Sequence, residues 1–327
     1  MTKRLLDLAP HPLLDIVSYG RGGATLTPAR REAIARTVGG VPEVVVKVSG
    51  GGSTVGGVTA HLRYIGRHGR LPLELDEGDE VASMSDVRAL IRDWGLKTEE
   101  MASARRYSGR PGIKGPRLVY NLVFSMPAST PPTKVLNAVR NFAHEQWALE
   151  HRYAMALHTD TPRPHVHVAL KAVSEQGQRL HIDRERLRRW REEFARHLRA
   201  QGVSANATHR AVRGRVGHGP PTKLYRAMHG GASTFLGERV RKVAAELQLT
   251  GSVKDSAGAK LRETRRGIEG QWKAVRQVVE RSGDTDLASG IDRFLASMPT
   301  PQTEIEEISR QIQERLVKDR RPSITAS

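Results

Sequence analysis

Residues 153–173 read YAMALHTDTPRPHVHVALKAV, two short apolar stretches separated by a proline-rich loop. Each stretch is predicted to be a β-strand, and the prolines between them favour a hairpin connection. Because successive side chains of a strand point to opposite faces, His165 and His167 share one face while the valines beside them face a core. His158 ends the first strand, so the hairpin would bring a third imidazole to the same place.

Three converging imidazoles form a metal site by ligand number and type. Neutral ligands leave a divalent cation its full charge, which suits it to polarising a phosphodiester oxygen. Asp160 follows His158 by two residues, where a carboxylate could accept a hydrogen bond from a ligand's other ring nitrogen. The alternative is a polar hairpin with surface histidines. The third histidine and the flanking apolar strands favour the metal site.

The rest of the chain predicts more strands and helices around this hairpin. The predicted strands are 42–48 and 117–125, and the predicted helices of the same region are 55–68, 85–98, 132–151 and 183–201. SGGGS at 49–53 is expected to end the first strand, and 70–116 is expected to be an excursion from the fold. Further helices are predicted at 221–247, 257–282, 284–297 and 301–319.

These elements indicate an α+β fold, with a central antiparallel β-sheet and flanking helices, followed by a mainly helical C-terminal region. The expected organisation is an N-terminal extension, a nuclease-sized domain, a helical region and a disordered tail: 1–40, 41–220, 221–319 and 320–327.

Composition favours a polyanionic partner. The chain of 327 residues has 53 Lys and Arg against 35 Asp and Glu, a net charge of +18. Cationic side chains that neutralise phosphates release condensed counterions, which favours nucleic acid. No apolar run approaches the roughly 18 residues of a membrane-spanning helix, so membrane insertion is not expected. The absence of Cys excludes disulfides and Cys-based zinc sites and is compatible with the cytoplasm.

A candidate nucleophile lies in GGVTAHLRYIGRHG, residues 56–69. Tyr64 is predicted on a helix, with His61 and His68 three before and four after it on the same side. A phenol needs a nearby cation, metal or base to attack at neutral pH. Taken alone, a tyrosine there is as well explained by an amphipathic helix boundary.

Two other features of the sequence can be explained without a functional role. The glycine run 50–52 lacks the Lys and Ser/Thr of a nucleotide-binding loop, so no ATP is implied. The helix 183–201 is rich in arginine, and charge runs are usually solvated faces. If this helix lies near the metal, its excess arginines, which include Arg188, could also bind successive phosphates of a DNA strand.

Four stretches together resemble conjugative relaxases of the mobilisation type, within the superfamily of endonucleases with a His-hydrophobic-His motif. In chain order they are VVVKVSGGGS, HLRYIGRHGRLPLEL, LVYNLVFSMPAST and ALHTDTPRPHVHVAL. The likeness is closest to relaxases that nick the borders of transferred DNA in tumour-inducing plasmids, and it extends over about residues 42–226.

The resemblance implies that Tyr64 is the nucleophile that forms a 5′-phosphotyrosine, and that the three histidines bind Mg²⁺ or Mn²⁺. It implies that Ser125 helps to position DNA and that Asp160 supports the histidines. Relatives have Asn where this chain has Lys171, and a lysine there could contact phosphate. The other candidate DNA contacts are Arg63, Arg67 and Arg188.

The resemblance implies site- and strand-specific nicking of single-stranded DNA at an origin of transfer, with religation and without ATP. Further implied partners are relaxosome accessory proteins and a type IV secretion coupling protein. The implied location is the bacterial cytoplasm, with export alongside transferred DNA.

Three alternatives stay open. A rolling-circle replication initiator or single-strand transposase would share the metal motif, but its tyrosine typically follows that motif, whereas Tyr64 precedes it. A basic DNA-binding accessory protein would have inert histidines. A zinc hydrolase would be expected to show H-E-x-x-H or a comparable base pattern, which this sequence lacks.

Overall fold

The computed structural model describes residues 26–107, 115–215, 234–250 and 255–319. The chain divides into two compact units. One unit runs from Val41 to Ala207, and the other combines the chain up to Gly40 with the chain from Thr208 onward. Three expected features fall outside the described residues: most of the N-terminal extension (1–25), the start of the helical region (221–233) and the disordered tail (320–327).

A six-stranded sheet with the order β1-β4-β6-β5-β2-β3 forms the centre of the Val41–Ala207 unit. Its strands are β1 (Val45–Gly52), β2 (Leu73–Leu75), β3 (Glu80–Val81), β4 (Val119–Ser125), β5 (Tyr153–His158) and β6 (His165–Lys171). Every pairing between these strands is antiparallel. The expected antiparallel sheet with flanking helices is therefore confirmed.

Helices cover both faces of this sheet. They are α2 (Val55–Ile65), α3 (Met84–Asp93), α4 (Leu96–Tyr107), α5 (Pro132–Trp147) and α6 (Arg184–Ala200), with a 3-10 turn at Arg67–Gly69. The single helix expected at 85–98 is two helices, because Gly95 adopts a φ of +63° that ends the first.

The two sheet faces have different cores. One face packs on α5 and α6 through aromatic rings in tilted and edge-to-face contact, with centroids 5.0 Å apart for Phe124–Phe142 and 5.2 Å for Phe124–Phe194. Val166 and Val168 are fully buried on that face. The opposite face packs mainly aliphatic side chains of α2 and α3. The strand β6 thus alternates as its sequence predicts.

The glycine run does not end the first strand. Gly50, Gly51 and Gly52 continue β1 and pair with β4 after an irregularity between Val48 and Gly50. A Cβ on Gly52 would lie 2.6 Å from Cγ2 and 3.0 Å from the backbone nitrogen of Val58. Glycine here lets α2 turn back directly onto the strand, which sets the position of that helix.

The segment expected to be an excursion contributes to the same sheet. The strand β2 pairs with β5, and β3 pairs with β2. Leu73 and Val81 bury their side chains in the core beneath α2. These strands have only three and two residues, too few for a detectable alternation.

The second unit is helical in its described residues, as the sequence predicts. Its helices are α1 (Pro28–Val38), α7 (Thr234–Thr250), α8 (Ser256–Arg281), α9 (Thr285–Ser297) and α10 (Glu304–Asp319). Ile34, Trp272 and Ile291 are fully buried in its core. The Trp272 indole donates a 2.7 Å hydrogen bond to the carbonyl of Val212. In the described part of the chain, no helix combines the length and apolarity needed to cross a bilayer.

Replacing Gly52 with alanine is expected to lower the free energy of unfolding by about 1–3 kcal/mol, the usual cost of overpacking. The added methyl would meet backbone and side-chain atoms of Val58. Urea unfolding followed by circular dichroism measures this change. The matched control is Gly56→Ala within α2, where a Cβ meets nothing within 4 Å. It should raise stability by about 0.5–1 kcal/mol. Equal effects of the two substitutions would contradict the close helix–strand approach.

Candidate active site

The hairpin brings three imidazoles together. His158 ends β5, and it lies directly opposite His165 at the start of β6. One ring nitrogen of each of His158, His165 and His167 lies within 4.8 Å of the others. Ring centroids are 4.5 Å apart for His158–His167 and 5.1 Å for His165–His167. The convergence predicted from strand alternation is therefore present.

In two of these rings, hydrogen bonds determine which nitrogen carries the proton and which carries the lone pair. The Nε2 of His158 lies 2.7 Å from the carbonyl oxygen of Ile65, so it carries the proton and donates. Its Nδ1 then accepts a 3.0 Å hydrogen bond from Arg67. The Nδ1 of His165 donates to the carbonyl of Arg163 over 3.0 Å, which leaves the lone pair on Nε2.

His167 is buried, although less deeply than His158. Its Nδ1 has no hydrogen-bond partner among the described residues. Burial, with the neighbouring imidazoles and Arg67, lowers the pKa of His167 to about 3. Burial also lowers the pKa of His158. Both rings are thus neutral at physiological pH, the state that a metal ligand needs.

Tyr64 lies beside the histidines at the end of α2. Its ring centroid is 5.9 Å from that of His167 and 6.4 Å from that of His158. Half of its surface is exposed, so the phenol is accessible from solvent. The carbonyl that His158 binds belongs to Ile65, the last residue of α2. One hydrogen bond therefore joins the tyrosine helix to the hairpin.

The two histidines expected on the same helix side as Tyr64 differ. The ring of His61 stacks on Tyr64 with centroids 6.4 Å apart, and burial lowers its pKa to about 4. His68 is not on the helix, because α2 ends at Ile65 and His68 adopts a left-handed φ of +59°. Its expected placement on the same helix side is therefore wrong.

Arg67 connects three parts of the cluster. Its Nη2 donates to Asp160 over 2.5 Å and to Nδ1 of His158 over 3.0 Å. Its guanidinium also lies 5.3 Å from the ring centroid of Tyr64, in cation–π range. Asp160 was expected to bind a histidine directly. Instead it pairs with Arg67, which in turn bonds to His158, so its influence on the ligand passes through the arginine.

The structure brings Ser125 to the cluster. It lies directly opposite His165 on the neighbouring strand, and so on the same face of the sheet. Its hydroxyl donates to the carbonyl of Pro164 over 3.2 Å. Arg63 is exposed on α2 next to Tyr64.

Lys171 and Arg188 do not join the cluster. Lys171 follows His167 by four strand residues, about 13 Å away. It is buried, with its ammonium 2.9 Å from Glu175 and 3.8 Å from Glu99. Its ammonium group thus pairs with two carboxylates in this structure, and its contact with phosphate stays a prediction. Arg188 lies on α6, which packs on the opposite face of the sheet, and pairs with carboxylates of its own helix.

The structure contains a second cluster of side chains of the types that bind metals, and the sequence analysis did not predict it. Glu145, Glu193 and His197 place one ligand atom each within 4.8 Å of the others. Arg196 donates to both carboxylates over 2.6 Å. Glu145 lies on α5, and Glu193 and His197 lie on α6. The sequence alone does not show that these two helices pack against each other. Because Arg196 already pairs with both carboxylates, the group is best described as an ion-pair network.

A comparison with family models finds a similarity over most of the strand-rich unit. The model described as "Relaxase: MobA/VirD2-like, nuclease domain" matches residues 69–203. These residues are similar to the nuclease domain of MobA/VirD2-like relaxases. The matched stretch covers less than half of the chain. It contains the three clustered histidines, Ser125 and Asp160, and it begins shortly after Tyr64.

Two other comparisons add little to this similarity. No curated protein matches the chain. One matching solved structure comes from work on the molecular basis of vancomycin resistance transfer in Staphylococcus aureus. It is 12% identical, covers 52% of this chain and 99% of its own, and has a TM-score of 0.33. A TM-score this low supports no argument about function or mechanism.

Acid is expected to destabilise the metal-free protein through the buried histidines. Their pKa values are lowered in the folded state, so below the ordinary histidine pKa of about 6.5 the unfolded chain binds more protons. Stability should therefore fall as the pH drops from about 6.5 towards 4. Thermal melting in a chelator across this range measures the slope.

His167→Gln should flatten that slope, because it removes a group with a strongly lowered pKa. The exposed His144, changed to Gln on α5, is the matched control and should leave the slope unchanged. A melting temperature that rises on acidification would contradict the expected direction.

Proposed function

We propose that this relaxase domain nicks one strand of single-stranded DNA at an origin of transfer, and that Tyr64 is the attacking nucleophile. The observation that carries the proposal is the approach of the Tyr64 ring to within 5.9 Å of His167, between centroids. A scissile phosphate held at the histidines would lie beside the Tyr64 ring, and a covalent nucleophile needs this proximity.

The residues fit a divalent cation. His165 offers Nε2, and His167 has a buried ring nitrogen without a partner in the described residues. His158 would offer Nδ1 after Arg67 moves aside. A bound Mn²⁺ or Mg²⁺ would polarise a phosphate oxygen and offset charge in the transition state. Three nitrogen donors favour Mn²⁺ over the oxygen-preferring Mg²⁺.

The proposed step is a transesterification. The Tyr64 oxygen bonds to phosphorus while the bond from phosphorus to the 3′ oxygen breaks. The phenolic proton passes to a base, for which neutral His61 beside the ring is the candidate, and the 3′ oxygen leaves as a hydroxyl after gaining a proton. The phosphotyrosine keeps the bond energy, so the reverse step rejoins the strand without ATP.

Arg67 is proposed to position the nucleophile and contribute charge. Its guanidinium lies over the Tyr64 ring and is held by Asp160. The same cation lies where a phosphate at the histidines would approach, and an arginine offers it paired donors. Ser125, opposite His165, is proposed to contact the DNA beside the nick.

The wider setting is proposed from the relaxase family match. Relaxosome accessory proteins and a type IV secretion coupling protein are the proposed partners, in the bacterial cytoplasm. The net charge of +18 supports the binding of DNA. A rolling-circle initiator or single-strand transposase is disfavoured because Tyr64 lies on a helix before the metal strands. An accessory protein and a zinc hydrolase both differ from a relaxase in forming no covalent adduct.

Tyr64→Phe is expected to abolish the covalent adduct with origin-containing single-stranded DNA, a loss of at least about 10³-fold. Denaturing electrophoresis detects the adduct, and mass spectrometry of the linked peptide identifies the attacking residue. Tyr107→Phe, at the end of α4, is the matched control and should retain activity. A wild-type level of adduct in the Tyr64 variant would remove the assignment.

Removal of the metal should abolish nicking, and readdition of Mn²⁺ should restore it.

His165→Ala is expected to weaken Mn²⁺ binding by at least about 100-fold, because the loss of a residue that only supports a metal ligand already costs 10–100-fold. Isothermal titration calorimetry measures the affinity. The exposed His181, changed to Ala outside the cluster, should bind Mn²⁺ like the wild type. Full activity in a chelator would show that the histidines have another role.

A further inference from the structure

The imidazole of His158 has one nitrogen from which it can bind a metal. Its Nε2 carries the proton and donates to the carbonyl of Ile65, so the lone pair of the ring lies on Nδ1. That lone pair accepts a 3.0 Å hydrogen bond from Nη2 of Arg67. A metal ligand must offer its lone pair to the ion, and the same lone pair cannot serve a guanidinium at the same time. Arg67 and a metal ion therefore compete for one atom.

Two other contacts hold Arg67 in this position. Its Nη2 donates to Asp160 over 2.5 Å, and its guanidinium lies 5.3 Å from the ring centroid of Tyr64. The backbone of Arg67 has a φ of +49°, in the left-handed region. This conformation is unfavourable for a residue with a side chain, and it persists where the surrounding contacts require it. The structure around Arg67 thus directs its guanidinium at the histidine.

The contact with His158 is the one that a phosphate can replace. The imidazole is neutral, since one of its nitrogens donates and the other accepts. The carboxylate of Asp160 is charged, so its bond to the arginine is the stronger of the two. Phosphate is also charged and offers paired oxygens to the fork of a guanidinium. A phosphate at the cluster is therefore a better partner for Arg67 than the histidine is.

Arg67 has donors to spare for such a phosphate. Within the described residues, Nη2 makes both of its hydrogen bonds, which leaves the donors on Nε and Nη1 available. The side chains of Arg67 and Asp160 are 29% and 53% exposed, so the pair borders the solvent from which DNA would approach. The guanidinium can thus turn towards a phosphate and keep its carboxylate partner.

We propose that Arg67 couples metal binding to DNA binding at this cluster. Without DNA, its guanidinium competes with the metal for Nδ1 of His158. A DNA phosphate takes over the guanidinium and releases the histidine to the metal. The inference rests on the proposed function, because it takes the scissile phosphate to bind beside the histidines. By linkage, DNA then tightens metal binding, and the metal tightens DNA binding by the same factor.

The first test measures Mn²⁺ affinity without DNA, by isothermal titration calorimetry of the full chain. Arg67→Asn removes the competitor, and asparagine tolerates a left-handed backbone. This variant should bind Mn²⁺ about 10-fold more tightly than the wild type, which corresponds to one hydrogen bond from a charged donor. The control is Arg63→Gln, at an exposed arginine of α2, which should have a much smaller effect. Unchanged or weaker binding by the Arg67 variant would overturn the inference.

A second pair of proteins separates competition at His158 from general repulsion between two cations. In a His158→Gln background there is no imidazole nitrogen to compete for, so Arg67→Asn should no longer tighten Mn²⁺ binding. Repulsion through space would persist in that background. Electron paramagnetic resonance of free Mn²⁺ measures the weaker affinities, and melting curves check folding. A gain of about 10-fold that remains would contradict the competition. If His158→Gln does not fold, the experiment with DNA decides.

The third test adds DNA to Tyr64→Phe protein, in which the proposed nucleophile is absent and the DNA stays intact. Mn²⁺ affinity is measured with and without an oligothymidylate of about 12 nucleotides. The DNA should tighten Mn²⁺ binding about 10-fold more in this protein than in the Tyr64→Phe, Arg67→Asn double variant. A phosphate that acts only as a further metal ligand would help both proteins equally. Equal enhancement in the two proteins would therefore overturn the coupling.

These outcomes distinguish the inference from the proposed function. If the wild type nicks DNA with Mn²⁺ and Arg67→Asn leaves the Mn²⁺ affinity unchanged, the coupling alone is wrong. If neither the wild type nor the Arg67→Asn protein binds Mn²⁺, the proposed metal site and the coupling both fail.

Discussion

A hydrogen bond from the His158 imidazole to the carbonyl oxygen of Ile65 holds the end of the tyrosine helix directly against the histidine hairpin. The last carbonyls of a helix have no partner within the helix and require one from elsewhere when buried. Here that partner is a clustered histidine. The bond fixes the end of the tyrosine helix against the hairpin, and it also fixes which nitrogen of His158 carries the proton. Position of the nucleophile and state of the ligand therefore depend on the same contact.

The sequence predicted the histidine hairpin because every determinant of it is local. Two apolar strands, a proline-containing loop and the alternation of His165 and His167 with valines specify the arrangement within twenty-one consecutive residues. The central strands and the longer helices were also predictable from apolar periodicity. The family resemblance is confirmed for residues 69–203. The roles of individual residues in catalysis stay predictions.

What the sequence did not reveal depends on contacts between distant segments. The strands β2 and β3 are too short to show a period, and only their pairing beside β5 makes them part of the sheet. The glycines of β1 resembled a turn, yet they serve the close approach of Val58. Arg67 reaches Asp160 and His158 because the chain leaves the helix in a left-handed conformation, with a φ of +49°. No propensity predicts such a conformation for arginine.

The alternation along β6 has a consequence for how faithfully the centre assembles. A slip of one residue in the pairing of this strand would turn Val166 and Val168 towards the histidine face and drive two imidazoles into the aromatic core. Exposed valines and unpaired buried imidazoles together would cost several kcal/mol. Misaligned hairpins are thus rejected by the core itself. Packing of the hydrophobic face of β6 therefore fixes the strand register that brings the histidines of the opposite face together.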